Sequence, residues 1–211
     1  MNTIEKCEQL VKDIYNQFDA SHDFQHIERV RKNAQIISQE EGAVRTDLIE
    51  LAVLLHDVSD VKYSGSEGKA KENAILDELD LPISDRQEIV EIIESVSFSG
   101  GHEKEAKTIE AKIVRDADRL DAIGAVGIAR TFAYGGAKGR PLYDWSETAR
   151  MNMSESEYRS KETASVTHFY EKLLLLKDLM VTESGKKLAL QRHEFMLAFI
   201  DQLKIETSEE K

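Results

Sequence analysis

Cysteine, proline and long apolar runs are almost missing from this chain. Cys7 is the one cysteine in 211 residues. That excludes an internal disulfide and a thiolate-built zinc site, and it fits a reducing cytoplasm. Only two prolines occur, so little interrupts a helix. No run approaches the ~18 apolar residues of a membrane span, and the longest, LAVLL and LLLL, are short. The N-terminus, MNTIEKCEQL, carries charges where a signal peptide needs an apolar stretch. A cytoplasmic protein with no membrane partner is expected. Positive charge is also scarce: 28 Lys and Arg stand against 40 Asp and Glu, a net charge of -12. Broad nucleic-acid binding needs clustered Lys and Arg and is not expected. A small phosphate ligand in a local basic pocket remains compatible with this charge.

What is present is helical periodicity. Ile4, Cys7, Leu10, Val11, Ile14, Tyr15 and Phe18 recur at steps of three and four, as do Phe24, Ile27, Val30, Ala34 and Ile37. Ser84 opens SDRQEIVEIIESV with Gln87 three residues on, the pattern of a capping box. A helical pattern runs from 108 to 134 and stops at Gly135-Gly136, with Gly124 and Gly127 inside it. Two long helices are predicted over about 156–181 and 184–205, separated by Thr182-Glu183-Ser184-Gly185. Loops are predicted at 62–68, 97–104 and 135–153. No convincing alternating strand, repeat or linker is visible. The expectation is one all-α domain over 1–206 with a frayed tail at 207–211.

The chemistry concentrates at LAVLLHDVSD, residues 51–60, where an apolar helix runs into His56 and Asp57, with Asp60 three further on. A cap at the helix end would explain an isolated His-Asp pair. Two other clusters point elsewhere. His22 and His26 share a helix face at i and i+4, and Asp118 and Asp121 share one at i and i+3, with Asp116 pointing away. Three apolar helices that each deliver imidazole or carboxylate groups offer what a divalent metal needs. Mixed nitrogen and oxygen donors suit Mn, Fe, Co, Mg or Zn. Spacing alone does not establish that the groups converge.

The order His26, His56-Asp57, Asp118 resembles the HD-domain metal-dependent phosphohydrolase superfamily, whose pattern is H…HD…D on an all-helical domain. The blocks SHDFQHIERV, LAVLLHDVSD, SFSGG, IVRDADRLDAIGAVGIARTFAYGG and HFYEKLLLLKDLM…RHEFM resemble a bacterial branch of small HD hydrolases. The resemblance implies an HD-domain-like helical bundle, its core over about 20–125 and its C-terminal helices over about 155–205. It implies His26, His56, Asp57 and Asp118 as ligands of one divalent ion (Mn, Mg, Co, Fe or Ni), with Asp121 as second choice for the last position. One ion is favoured because His102 is the only histidine between the HD pair and Asp118. His22 is then a residue supporting the ligands, while His168 and His193 pack within the C-terminal helices.

By the same resemblance Asp60 acts in proton transfer with the attacking water, although Asp is shorter than the Glu commoner there. Arg29, Lys62, Arg119 and Arg130 are candidate cations for phosphate, with Asp121 also placed among the substrate-facing residues. Surface ion pairing is the competing reading for each cation. Tyr134, Tyr143 and Trp145 are candidates to face a base or sugar, with plain loop packing as the alternative. The implied substrate is a nucleotide. The favoured reaction takes a nucleoside or deoxynucleoside triphosphate to monophosphate and pyrophosphate. A 5′-nucleotidase, or a non-catalytic nucleotide- or metal-binding HD protein, is the alternative. A monomer or homodimer is expected.

Overall fold

Asn2 starts the first helix. In the computed structural model its side chain accepts from the Glu5 amide, and the Glu5 carboxylate accepts from the Asn2 amide. That reciprocal cap satisfies two amides a helix start leaves open. The structure describes residues 1–19, 22–42, 44–60, 64–96, 104–150 and 163–207. Two compact units divide the chain, Met1–Asp118 and Arg119–Lys211. The described residues are helical or irregular, with no strand among them, so the all-α expectation holds.

In the first unit, α1 (Thr3–Tyr15), α2 (Phe24–Glu41) and a helix at Ile83–Val96 all pack on α3 (Thr46–Leu55). Neighbours on several sides explain why α3 is apolar nearly all round. Leu48, Ile49 and every residue from Leu51 to Leu55 are buried. The unit continues with a 3-10 turn at Gly65–Glu67, α4 (Gly68–Glu78), α5 (Ile83–Val96) and α6 (Ile109–Asp121). The unit boundary falls in the last turn of α6. Helix α5 corrects one expectation. It begins at Ile83, so Ser84 lies inside the first turn, and its hydroxyl bonds the Asp85 carboxylate instead of capping.

The pattern over 108–134 is two helices, not one. Helix α7 (Gly124–Ala137) follows α6 after a break at Ala122 and Ile123. Gly124 sits at φ +74°, which a side chain disfavours, and a Cβ on Gly127 would stand 2.2 Å from the Ala122 carbonyl oxygen. The two glycines let the chain turn and restart. Helix α7 runs on through Ala137, so the expected loop at 135 begins at Lys138.

The helix expected over 156–181 is also corrected within the described part. Thr167–Glu171 forms a short α8, and Leu173–Leu179 is 3-10. Leu173 and Leu176 are its buried positions, and a spacing of three is the 3-10 period. Residues 156–162 lie outside the described residues. The last helix, α9 (Glu183–Thr207), matches its prediction closely. Thr182 caps it by accepting from the Gly185 amide at 3.0 Å, so the predicted separator is largely its first turn. Tail residues 208–211 lie outside the described residues. No described helix is long and apolar enough to cross a membrane.

In the second unit, His168 is set strongly against its own charge. Burial, with Lys172 and Arg140 nearby, pushes the His168 imidazole down to about 3, against an opposing pull from Glu171. The unfolded chain takes up this proton near pH 6.5, whereas the folded chain does so only near 3. Between those values the unfolded state binds more protons, so stability falls as pH falls. His168→Gln is expected to flatten that slope by up to about 1.4 kcal/mol per pH unit. Urea unfolding at several pH values between 6.5 and 3, on both proteins, checks it.

Candidate metal centre

The ends of three helices meet in the first unit. Asp23 caps α2, and its Oδ1 accepts from the His26 amide at 3.0 Å. The cap fixes where α2 begins, and so where His26 points. Helix α3 stops at Leu55 with His56 as its C-cap, and the His56 Nδ1 is 2.9 Å from the Val53 carbonyl oxygen. A carbonyl can only accept, so Nδ1 carries the proton and Nε2 is left to face the site. Asn33, buried on α2, donates from Nδ2 to the Ala117 carbonyl at 3.0 Å, tying α2 to α6 one residue before Asp118. Neither Asp23 nor Asn33 was a sequence candidate. An Asp just before an apolar-periodic helix was the available signal for the first; nothing in the spacing marked the second.

The contacts are close. His26 Nε2 lies 3.3 Å from His56 Nε2. Asp57 Oδ2 lies 3.5 Å from each of those nitrogens. Asp118 Oδ1 is 3.5 Å from His26 Nε2 and 3.7 Å from His56 Nε2. One ligand atom from each of His26, His56 and Asp118 falls within 4.8 Å of the others. The two imidazoles are sealed at 1% exposure, while Asp57 is 16% and Asp118 31% exposed, so the carboxylate side is the open one.

The electrostatics call for positive charge. Burial opposes ionisation of Asp57, but His56, His26 and His22 hold its carboxyl far below the usual range. Burial likewise opposes the Asp118 charge, and His56 and His26 hold that carboxyl low. Burial would depress His56, yet Asp57 and Asp118 outweigh it and raise the imidazole to about 10. Two ionised carboxylates thus face a group that keeps a proton in the absence of any other cation.

A divalent ion fits this donor set. Atoms bound to one ion at about 2.0–2.2 Å stand roughly 3.0–3.5 Å apart, close to the spacing found here. Asp57 Oδ2 is buried and has no hydrogen-bond partner. A buried carboxylate oxygen held only by long contacts to two imidazoles is under-satisfied, and coordination would satisfy it. His22 Nε2 sits 4.0 Å from the same oxygen, and its ring centroid is 5.4 Å from that of His26.

The remaining candidates are placed as follows. Asp60 lies on the turn after Asp57. Its amide bonds the Asp57 carbonyl, and its own carbonyl accepts from Ser64. Arg29 is half-buried on α2. Lys62 and His102 lie outside the described residues. In the second unit, Arg119 donates to the Leu179 carbonyl. The Arg130 guanidinium pairs with the buried Asp121 carboxylate at 2.5 Å. Tyr143 stacks on Trp145 with centroids 5.5 Å apart, and the Trp145 indole donates to Thr207.

Comparison with known proteins follows this geometry. The HD domain family model matches residues 23–123. YpgQ of Bacillus subtilis is 39% identical, over 96% of this chain and 94% of its own. The crystal structure of YpgQ in complex with ADP superposes with a TM-score of 0.75 at 34% identity, covering 98% of each chain. An HD-superfamily hydrolase from Bacillus thuringiensis gives a TM-score of 0.76 at 42% identity, over 98% of this chain and 97% of that one.

Proposed function

The chain belongs to the HD domain family, and from that premise we propose that it is a metal-dependent phosphohydrolase acting on nucleotides. The observation that carries this reading is the convergence of His26, His56 and Asp118, with the buried Asp57 carboxylate facing both imidazoles at 3.5 Å. The ADP complex of YpgQ supports a nucleotide as the ligand class. The favoured reaction is cleavage of a nucleoside or deoxynucleoside triphosphate between its α and β phosphorus atoms. Water supplies the new oxygen on the α phosphorus, and pyrophosphate leaves.

His26, His56, Asp57 and Asp118 would hold one divalent ion. When bound, that ion supplies Lewis-acid polarisation of a phosphoryl oxygen and lowers the pKa of water near it. The protein does the rest. Val53 keeps the His56 tautomer fixed. Asp60, close in sequence to the ligands, is the group proposed to take a proton from the attacking water. Arg29, one turn beyond His26, and Lys62 are the cations proposed to offset phosphate charge.

The test is an assay of the purified chain with Mn, Mg or Co and a panel of ribo- and deoxyribonucleotides. Phosphate and pyrophosphate are measured separately. Pyrophosphate from triphosphates is expected. Phosphate from monophosphates would replace this reading with a nucleotidase, and no product with any metal would remove the enzyme reading.

A further inference from the structure

We propose that Tyr15 is a positioning residue of the metal centre, its phenol clamping the turn that presents His56 and Asp57. This rests on the reading that those residues bind a divalent ion. Tyr15 ends α1 and is fully buried. Its hydroxyl donates to the Leu54 carbonyl at 3.0 Å and accepts from the Asp57 amide at 3.3 Å. Leu54 and Asp57 bracket Leu55 and His56, so one oxygen grips the backbone on both sides of the turn.

The chain needs such a grip at this point. Helix α3 stops at Leu55, and the Val58 amide turns to the Leu55 carbonyl at 3.1 Å instead of reaching back a full α-helical turn. That leaves the Leu54 carbonyl for the phenol. The turn is where two adjacent residues must both reach one ion. Adjacent side chains diverge by about 100° on a regular helix, so a departure from the helix at a fixed place is required. A phenylalanine would fill the same core space, and the ring already packs edge-on against Phe18 with centroids 5.4 Å apart. A hydroxyl in that core costs desolvation and is retained at no loss only because both its bonds are made. Both go to the ligand-bearing turn.

The test compares the full-length chain with Tyr15→Phe, which keeps the ring and removes the oxygen. Manganese(II) affinity of the folded, chelator-stripped protein is measured by calorimetry, and turnover is followed against manganese concentration. Manganese affinity is expected to fall about 10–100-fold, the size seen when a partner of a metal ligand is lost. Turnover at low manganese should fall with it and recover as manganese is raised. Ile89→Val, which trims the buried core on α5, destabilises while leaving the Tyr15 hydroxyl in place and should bind manganese as the wild type does. Wild-type affinity in Tyr15→Phe overturns the proposal, as does an equal loss in Ile89→Val, which would make the effect one of general stability. A wild-type chain that binds no manganese overturns the metal-centre reading itself, a result distinct from the other two.

Discussion

His56→Ala should lower kcat/KM for nucleotide hydrolysis by on the order of a thousandfold or more, about 4 kcal/mol of barrier at 1.36 kcal/mol per tenfold. The imidazole stands within 3.3 to 3.7 Å of the facing atoms of His26, Asp57 and Asp118. Alanine leaves two ionised carboxylates and one imidazole, with no second nitrogen on the sealed side. The ion is then held weakly or out of place, and the chemistry it supplies is lost. The fold should survive, because α3 is anchored by Leu51 to Leu55 and not by His56. Asp57→Asn is the sharper companion, since it keeps shape and removes the charge of the carboxylate that both imidazoles face at 3.5 Å. It should lose activity to a similar degree. Steady-state kinetics with circular dichroism on the same samples check both. Full activity in either folded variant would mean the site is not where hydrolysis occurs.

Manganese at about 100 times its dissociation constant should stabilise the chain by about 2.7 kcal/mol. For a chain of this size that is a rise in melting temperature of roughly 5–10 °C. Only the folded state brings α2, α3 and α6 together, so the ion binds that state and shifts the equilibrium by mass action. A chelator should reverse the shift, and His56→Ala should show little of it. The gain should also be smaller at pH 6 than at pH 8. In the metal-free fold Asp57 and Asp118 hold a proton on His56 up to about 10, and the ion must displace that proton. Lower pH therefore weakens binding, by up to about tenfold per unit for one proton released. Thermal unfolding with and without manganese at the two pH values measures both effects.

The sequence carried the helices of the candidate ligands well. An apolar stretch that ends in His-Asp reads as a helix end, and the structure places α3 up to Leu55. Period alone could not separate Asp118 from Asp121, which share a face at i and i+3. The difference lies in partners: Asp121 meets Arg130, nine residues on and past the helix break at Ala122 and Ile123, whereas Asp118 meets the two histidines. Gly124 and Gly127 marked a weak point, but the helical pattern continues through them, so the place of the break was not legible. Over the seven residues LLLLKDL, periods of 3.0 and 3.6 are hard to tell apart, so a 3-10 turn read as α-helix. Tyr15 counted only as an apolar position, since a pattern registers its ring and not where its hydroxyl goes.

The most direct test of the metal centre is a count of ions. Purified chain is stripped with chelator, loaded with manganese, dialysed and analysed for metal per chain. One ion per wild-type chain and essentially none in folded His56→Ala is the expected result. A folded wild-type chain that retains no ion, or a His56→Ala variant that retains one, would contradict it.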